Sequence, residues 1–457
     1  MSRTRIRCAA ALAAVASLSV LTACSSSSDK GSSDGKVTIT VEGWRPGDQK
    51  ATIASVKQQA ADFMKTHKNI KVIPKEWQWK SDTFPAQLAG GTLPTSFRVP
   101  FTDTKGLVAH HQVADINDEI MALPYAKQLN PTVLAAAKGT DGKVYGLPSD
   151  VYANGLHYNR TLFKKAGLDP DKPPTTWDDV RADAKAIQDK TGMTGYATMT
   201  KENQGGWILT TLAYALGGRM ETQSGDKYTA TVDNDATKQA LGYIKSMRWD
   251  DKSISGNTSY DWGTINQAFS AGKIGMYVSG SDVYNALVTT NKINPDEYGL
   301  AAIPTNGSPD SGALGGGSIN VVSAKATKAQ QKAAVAWIDY FRVSKLVDKS
   351  RGVADAKTLA ETKQPIGTPT FPEFDKATWQ KQQDWLKPYV NVPQAQMTSF
   401  LTGMFTQQLV SEPASQTQAL YAALDPVVQK VLADKNADID SLLKTANANV
   451  QGILDKS

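Results

Sequence analysis

Between Val37 and Ile73 the chain spells out strand, helix, strand, and this order constrains its fold more than any other feature. Val37, Ile39 and Val41 alternate with Thr38 and Thr40, the period of two expected of a half-buried strand. After Glu42-Gly43-Trp44, the residues Ile53, Val56, Ala60 and Phe63 recur at the spacing of one helical face, and Ile70 to Ile73 reads as a second strand. Such a βαβ unit implies a parallel sheet, with ligands held outside the carboxyl ends of its strands. The residues that follow each strand are therefore the first candidates for a site.

Ahead of this unit lies a different kind of segment. Arg3, Arg5 and Arg7 precede an apolar run from Ala9 to Leu21, which has signal-peptide length and falls short of the ~20 residues a spanning helix needs. The box Leu21-Thr22-Ala23-Cys24 resembles the lipobox of bacterial lipoproteins. That resemblance implies removal of residues 1–23 as a signal peptide and a diacylglycerol carrying fatty acids such as palmitate on the Cys24 thiol, since two acyl chains hold a protein to a bilayer where one does so only marginally. Ser25 to Lys36 is Ser, Gly, Asp and Lys, too polar to fold, and makes residues 24–36 a flexible leash. No later stretch has 18 consecutive apolar residues, so the lipid alone is expected to tether the body to the membrane.

Removing the leader from the 457 residues leaves 434 and strips three arginines, so the formal charge falls from +6 to +3. With no concentrated basic stripe, this argues against a nucleic-acid partner. Cys8 leaves with the leader and Cys24 is taken by lipid, so the body has no thiol for a disulfide or metal, and its stability must come from its core. A chain this long is expected to split into more than one globular unit.

The middle of the chain carries a longer pattern. Asp141-Gly142-Lys143-Val144-Tyr145-Gly146-Leu147-Pro148 reads as a turn, a short strand and a proline stop, and Gly155 to Arg160 as the next strand. Lys164-Lys165-Ala166-Gly167-Leu168 closes a short helix at its glycine. Thr176 is the expected N-cap of the helix that follows, with Asp179 completing a capping box. The run Asp141 to Val180 resembles the family 1 extracellular solute-binding proteins of ABC importers, maltose-binding type, in its Gly-Lys-x-Tyr-Gly-x-Pro, Tyr-Asn, Ala-Gly and Pro-x-Thr-Trp-Asp order. Phe269-Ser270-Ala271-Gly272-Lys273-Ile274-Gly275-Met276, the glycines Gly315 to Gly317 before the strand Ile319 to Val322, and the helix with Ala333, Trp337 and Phe341 extend the similarity over most of the body.

The resemblance implies a two-lobed α/β fold of periplasmic-binding-protein type with a ligand cleft between the lobes. Lobe 1 is expected from 37–147 and 304–345 and lobe 2 from 148–303 and 346–457, with Pro148 and Pro304 marking the crossings. It implies a monomeric receptor on the outer face of the bacterial cytoplasmic membrane that captures a sugar and hands it to the permease subunits, with no cofactor and no metal. A sugar offers hydroxyl edges and apolar C–H faces, so its site needs flat aromatic platforms and planar polar side chains at the rim. Trp44 follows the first strand, Trp79 the second, and Asp103 lies where the family places polar ligands after its third. Asp150, Tyr152 and Asn154 follow Pro148, Trp207 sits in a Gly-Gly-Trp loop, Trp262 follows Tyr260-Asp261, and the triplet Gly315 to Gly317 either lets a backbone approach a ligand, at Gly316 and Gly317, or simply allows a tight turn. Trp177 and Trp337 are assigned to the core. The maltose-binding type carries a tryptophan where this chain has Asp282 and an acidic residue where it has Tyr152, so the same polysaccharide is not implied.

Enzymes are the main competing class. A surface glycoside hydrolase would need two carboxylates at a set separation, and among 44 acidic residues no pair stands out. There is no phosphate-binding Gly-x-x-x-x-Gly-Lys loop and no His-Glu-x-x-His pair. The only Gly-x-Ser-x-Gly match, Gly31 to Gly35, falls in the leash, and the adjacent His110 and His111 read as a solvated pair. A docking lipoprotein, the third class, would need a large exposed apolar patch.

Overall fold

The computed structural model describes residues 36–456 apart from 49, 81, 82 and 226, so the leader, Cys24 and nearly all of the leash lie outside the described residues. Its strands are β1 (Val37–Trp44), β2 (Ile70–Glu76), β3 (Ser96–Pro100), β4 (Gly146–Asn159), β5 (Thr194–Tyr196), β6 (Glu221–Ser224), β7 (Lys227–Ala230), β8 (Ile274–Gly280), β9 (Tyr298–Ala302), β10 (Gly312–Val322) and β11 (Gln408–Ser411). β6 and β7 form a separate hairpin, and the other nine make one continuous sheet in the order β2-β1-β3-β10-β4-β8-β5, with β11 against β10 and β9 against β4.

The expected βαβ unit is present. β1 runs parallel to β2, with Val37 opposite Ile70 and Val41 opposite Pro74. The helix Lys50–Thr66 between them buries Val56, Ala60 and Phe63, while Ile53 is only partly covered. Trp337, on the helix Lys328–Ile338, is 2% exposed and packs edge-on against Phe63, as the core reading requires.

Two long antiparallel strands, β4 and β10, hold the two lobes together. Toward lobe 1, residues 318–322 of β10 lie between β3 and residues 146–149 of β4. Toward lobe 2, residues 154–159 of β4 pair with β8 and β9, and residues 312–315 of β10 pair with β11. The register slips where they pass from one lobe to the other, between Gly316 and Ser318, and Asp150 opposite the slip adopts a left-handed φ of 54°. The expected stop at Pro148 is therefore corrected: β4 runs straight through it. At residues 146–149 β4 pairs only with β10 and is an edge of the lobe 1 sheet, a setting in which a strand tolerates a missing N–H.

The lobe edges also differ from expectation. Pro304 to Ser311 stays on lobe 2, because Pro304 O accepts from Trp177 Nε1 at 3.0 Å and Asn306 bonds to Ala215 O and Leu216 O at 3.1 and 2.7 Å. The second crossing accordingly lies at Gly315 to Ser318. Residues 373–375, expected in lobe 2, bond back to lobe 1: Asn130 N donates to Glu373 O and Asp375 N to Gln128 O, each at 2.8 Å. A third strip of chain thus bridges the lobes.

Lobe 2 is organised by caps and close helix contacts. Thr176 caps Trp177–Thr191 through a full capping box, accepting from Asp179 N at 3.0 Å while Asp179 accepts from Thr176 N at 3.1 Å. Trp177 behind it is 3% exposed, a burial whose loss on truncation to Ala costs ~3–5 kcal/mol. The Gly-Gly-Trp segment, expected as a loop, opens the helix Gln204–Ala215 instead. A Cβ on Gly206 would stand 2.2 Å from Tyr421 O, so the glycine exists to let the helix Thr417–Ala433 press against it. Asp425 of that second helix caps the first, accepting from Asn203 N and Gly206 N, both at 2.9 Å.

Candidate functional site: the cleft between the lobes

The cleft is built around Tyr152, the first residue of β4 beyond the register slip, which pairs with Gly316 of β10. Its ring meets Trp207 edge-on, with centroids 6.4 Å apart and planes at 80°. A Cβ on Gly316 would stand 2.8 Å from Tyr152 Oη and 3.0 Å from Glu412 Oε2, so the glycine keeps open a spot on which a phenol and a carboxyl converge. Glu412 follows β11 on lobe 2, and its other oxygen accepts from Tyr421 Oη at 3.1 Å. Lobe 1 answers with the helix Phe101–Ala109, and a cavity of about 80 Å³ between Phe101, Thr102 and Lys105 on one side and Ser411, Glu412 and Ala414 on the other marks where the lobes face each other.

Carboxyls dominate this cleft. Burial pushes Asp103 above its ordinary value, while hydrogen bonds from Thr102 and Trp79 oppose the rise, which places the predicted pair Trp79 and Asp103 side by side. Burial, with Asp103 adding to it, raises Glu412 to about 7. Burial and the charge of Asp150 likewise raise Asp282, which lies beside Tyr152 above Gly280.

Asp150, half exposed, commits one carboxyl oxygen to an ion cluster. Its Oδ2 accepts from Arg98 Nη1 at 2.8 Å and from Ser149 Oγ at 3.2 Å, and Arg98 in turn donates from Nε and Nη2 to Glu42 Oε1 at 3.0 and 2.6 Å. Burial works against the Asp150 charge, yet Arg342 and Arg98 together hold it below the ordinary carboxylate range. Burial and Arg98 push Arg342 down to about 10. This ion cluster ties β1 and β3 of lobe 1 to the strained turn of β4, so it fixes the crossing.

The other predicted residues separate by position. Trp262 begins the helix Trp262–Ser270, is 40% exposed, and donates its backbone N–H to Gln204, which joins the start of its helix to the start of the helix that carries Trp207. Asn154 is fully buried and gives its Nδ2 to Thr211 Oγ1 at 2.7 Å, so it supports the wall from behind. Gly317 serves close packing: a Cβ there would stand 3.0 Å from Phe101 Cζ and 3.1 Å from Val151 Cα. The Trp44 ring lies under Lys57 Nζ at 5.3 Å, against the helix Lys50–Thr66. Glu412 was not foreseen. It carries no local sequence signal, because Tyr152, Gly316, Asp103 and Tyr421 reach it from four separate parts of the chain.

Aromatic faces beside fixed carboxyl and hydroxyl groups can stack on one surface of a small polar molecule and bond to its edges. Among the described residues no group of three or more His, Cys, Asp or Glu is placed to hold a metal, and His110 and His111 are exposed. Two α/β lobes on shared crossing strands, with such a cleft between them, define a two-lobed binding protein. The family model of bacterial extracellular solute-binding proteins matches residues 58–346, and the chain belongs to that family. A binding protein of Brucella abortus is 31% identical over 191 residues, 41% of this chain and 43% of its own, so the match spans less than half of that relative. The maltodextrin-binding protein of Bacillus subtilis is 27% identical over 334 residues, 70% of this chain and 72% of its own. The crystal structure of a cyclic α-maltosyl-1,6-maltose binding protein from Arthrobacter globiformis superposes with a TM-score of 0.70 at 21% identity, covering 93% of this chain and 100% of that one, a likeness of fold. No helix among the described residues is long and apolar enough to cross a membrane.

Proposed function

We propose that the protein is the substrate-binding lipoprotein of an ABC importer, capturing a sugar or short oligosaccharide between its lobes and delivering it unchanged to the permease. The observation that carries this reading is the edge-on pair Tyr152 and Trp207 beside the open spot at Gly316 and Glu412, with Trp79 hydrogen-bonded to Asp103 on lobe 1 and Trp262 exposed on lobe 2, which supports aromatic faces for C–H surfaces and acids for hydroxyl edges. The family match and the maltodextrin-binding relative support it. The ligand-binding set is Trp79, Asp103, Tyr152, Trp207, Trp262, Gly316 and Glu412, with Asp150 holding the crossing.

Capture closes the lobes about the slip at Asp150 to Tyr152 and Gly316 to Ser318, since a site divided between two lobes is complete only when they meet. The closed form presents one surface for the permease. Cys24 carries the lipid that keeps the receptor on the outer face of the cytoplasmic membrane. A thermal-shift panel of mono- and oligosaccharides tests the function: a binder at 100 times its dissociation constant stabilises by ~2.7 kcal/mol. A panel with no shift, or chains recovered shorter than they were supplied, would overturn the receptor reading, the second outcome in favour of a glycoside hydrolase.

A further inference from the structure

Glu412 is held where a carboxylate is poorly served. Its Oε1 takes one hydrogen bond from Tyr421, its Oε2 faces the open spot above Gly316, and among the described residues no lysine or arginine pairs with it. The groups around it come from every neighbouring element: Tyr152 from β4, Tyr421 from the helix Thr417–Ala433, Tyr214 from Gln204–Ala215 with Arg219 over its ring at 5.1 Å, and Asp103 from the opposite lobe. Lys105 lines the same cavity from lobe 1 and is exposed. Glu221 pins the segment in place, accepting from Ala414 N and Ser415 N at 2.7 and 3.0 Å.

We propose that Glu412 works in the cleft as a neutral carboxylic acid, offering a proton-bearing oxygen, beside Tyr152 Oη, to an acceptor oxygen of the captured molecule. A carboxylate with one hydrogen bond, no cation paired with it and a second carboxyl across the lobes is relieved most simply by a proton, against the pull of the single Tyr421 hydroxyl. The proton also changes what the group can do, since a carboxylate only accepts whereas the acid donates. Lobe closure expels water and favours the neutral form further, so ligand capture above neutral pH takes up a proton. This inference rests on the proposed sugar reading for its ligand but not for the state of Glu412.

Carbon-13 NMR of the sugar-free mature protein, labelled in its glutamate carboxyls and titrated from pH 4 to 9, tests that state directly. Glu412, assigned by the signal missing in Glu412→Gln, is expected to titrate near neutrality. Asp103→Asn should move the midpoint down, and Tyr421→Phe, which removes the hydroxyl favouring the charged form, should move it up. A midpoint below 5, or one indifferent to Asp103→Asn, overturns the proposal whatever the ligand. Calorimetry with maltotriose then reads the donor role: the wild type should bind about tenfold more weakly at pH 8 than at pH 6, and Glu412→Gln, whose amide always donates, should show no such loss. A flat wild-type profile overturns the donor role. If maltotriose gives no heat at either pH, the sugar reading fails for that probe while the NMR midpoint still decides the state of Glu412.

Discussion

Acidification from pH 7 to 4 should strike the core of lobe 2 at one imidazole. His157 of β4 is fully buried, with Nε2 3.0 Å from Ser279 O and Nδ1 2.8 Å from Tyr298 Oη. A carbonyl can only accept, so Nε2 carries the proton and Nδ1 accepts from the Tyr298 hydroxyl. Both ring nitrogens are then committed in the neutral form, and burial pushes the ring from 6.5 down to about 4. Between those values the unfolded chain binds a proton that the native protein does not, so stability is lost as pH falls through the window, by about 3 kcal/mol at pH 4. Glu373 and Glu412, raised by burial to about 7, and Asp183, raised to about 6, run the other way: native protein holds their protons first and gains stability as pH falls. A plain acid titration would blend the two effects, so the measurement is a difference. Urea unfolding of wild type and His157→Gln at pH 7, 5.5 and 4 should show the wild-type advantage shrinking by about 3 kcal/mol. An advantage that stays constant with pH would refute both the tautomer and the depressed ring.

Trp262 leaves about 100 Å² of a side chain of up to ~250 Å² open to solvent, so a sugar covering it gains up to ~2.5 kcal/mol. Trp262→Ala should therefore weaken maltotriose about 10- to 70-fold in calorimetry while the melting temperature of the free protein changes little, and unchanged affinity would remove it from the platform. Cys24→Ser, provided the leader is still cleaved, should release folded protein into the medium; a processed variant that stays on the membrane would disprove the lipid anchor.

What the sequence made legible was local. The alternation of Val37 to Val41, the helical face of Val56, Ala60 and Phe63, and the capping box at Thr176 each depend on residues within a few positions of one another, and each forms as expected. Misreadings arose where a partner lies far along the chain. Gly205 and Gly206 look like a loop until the helix carrying Tyr421 and Asp425 is laid against them. Pro148 looks like a stop until β10 is known to cover only one side of its strand. In the candidate site, tryptophans after strand ends were findable by rule, yet Trp44 and Trp79 obey the same rule and only Trp79 lies beside Asp103. Glu412 obeyed no rule, being one acid among 44.

The shared strands also dictate when the protein can be finished. β3, at residues 96–100, pairs with β1 at a single register position, Val41 with Ser96, beside the Arg98–Glu42 bonds, and takes the rest of its strand pairing from β10, whose pairing residues are 318–322. The centre of the lobe 1 sheet therefore stays open until more than 200 further residues exist, which at 5–20 residues per second is roughly 10–40 s of synthesis. A nascent chain cannot lock its first lobe while the rest is being made.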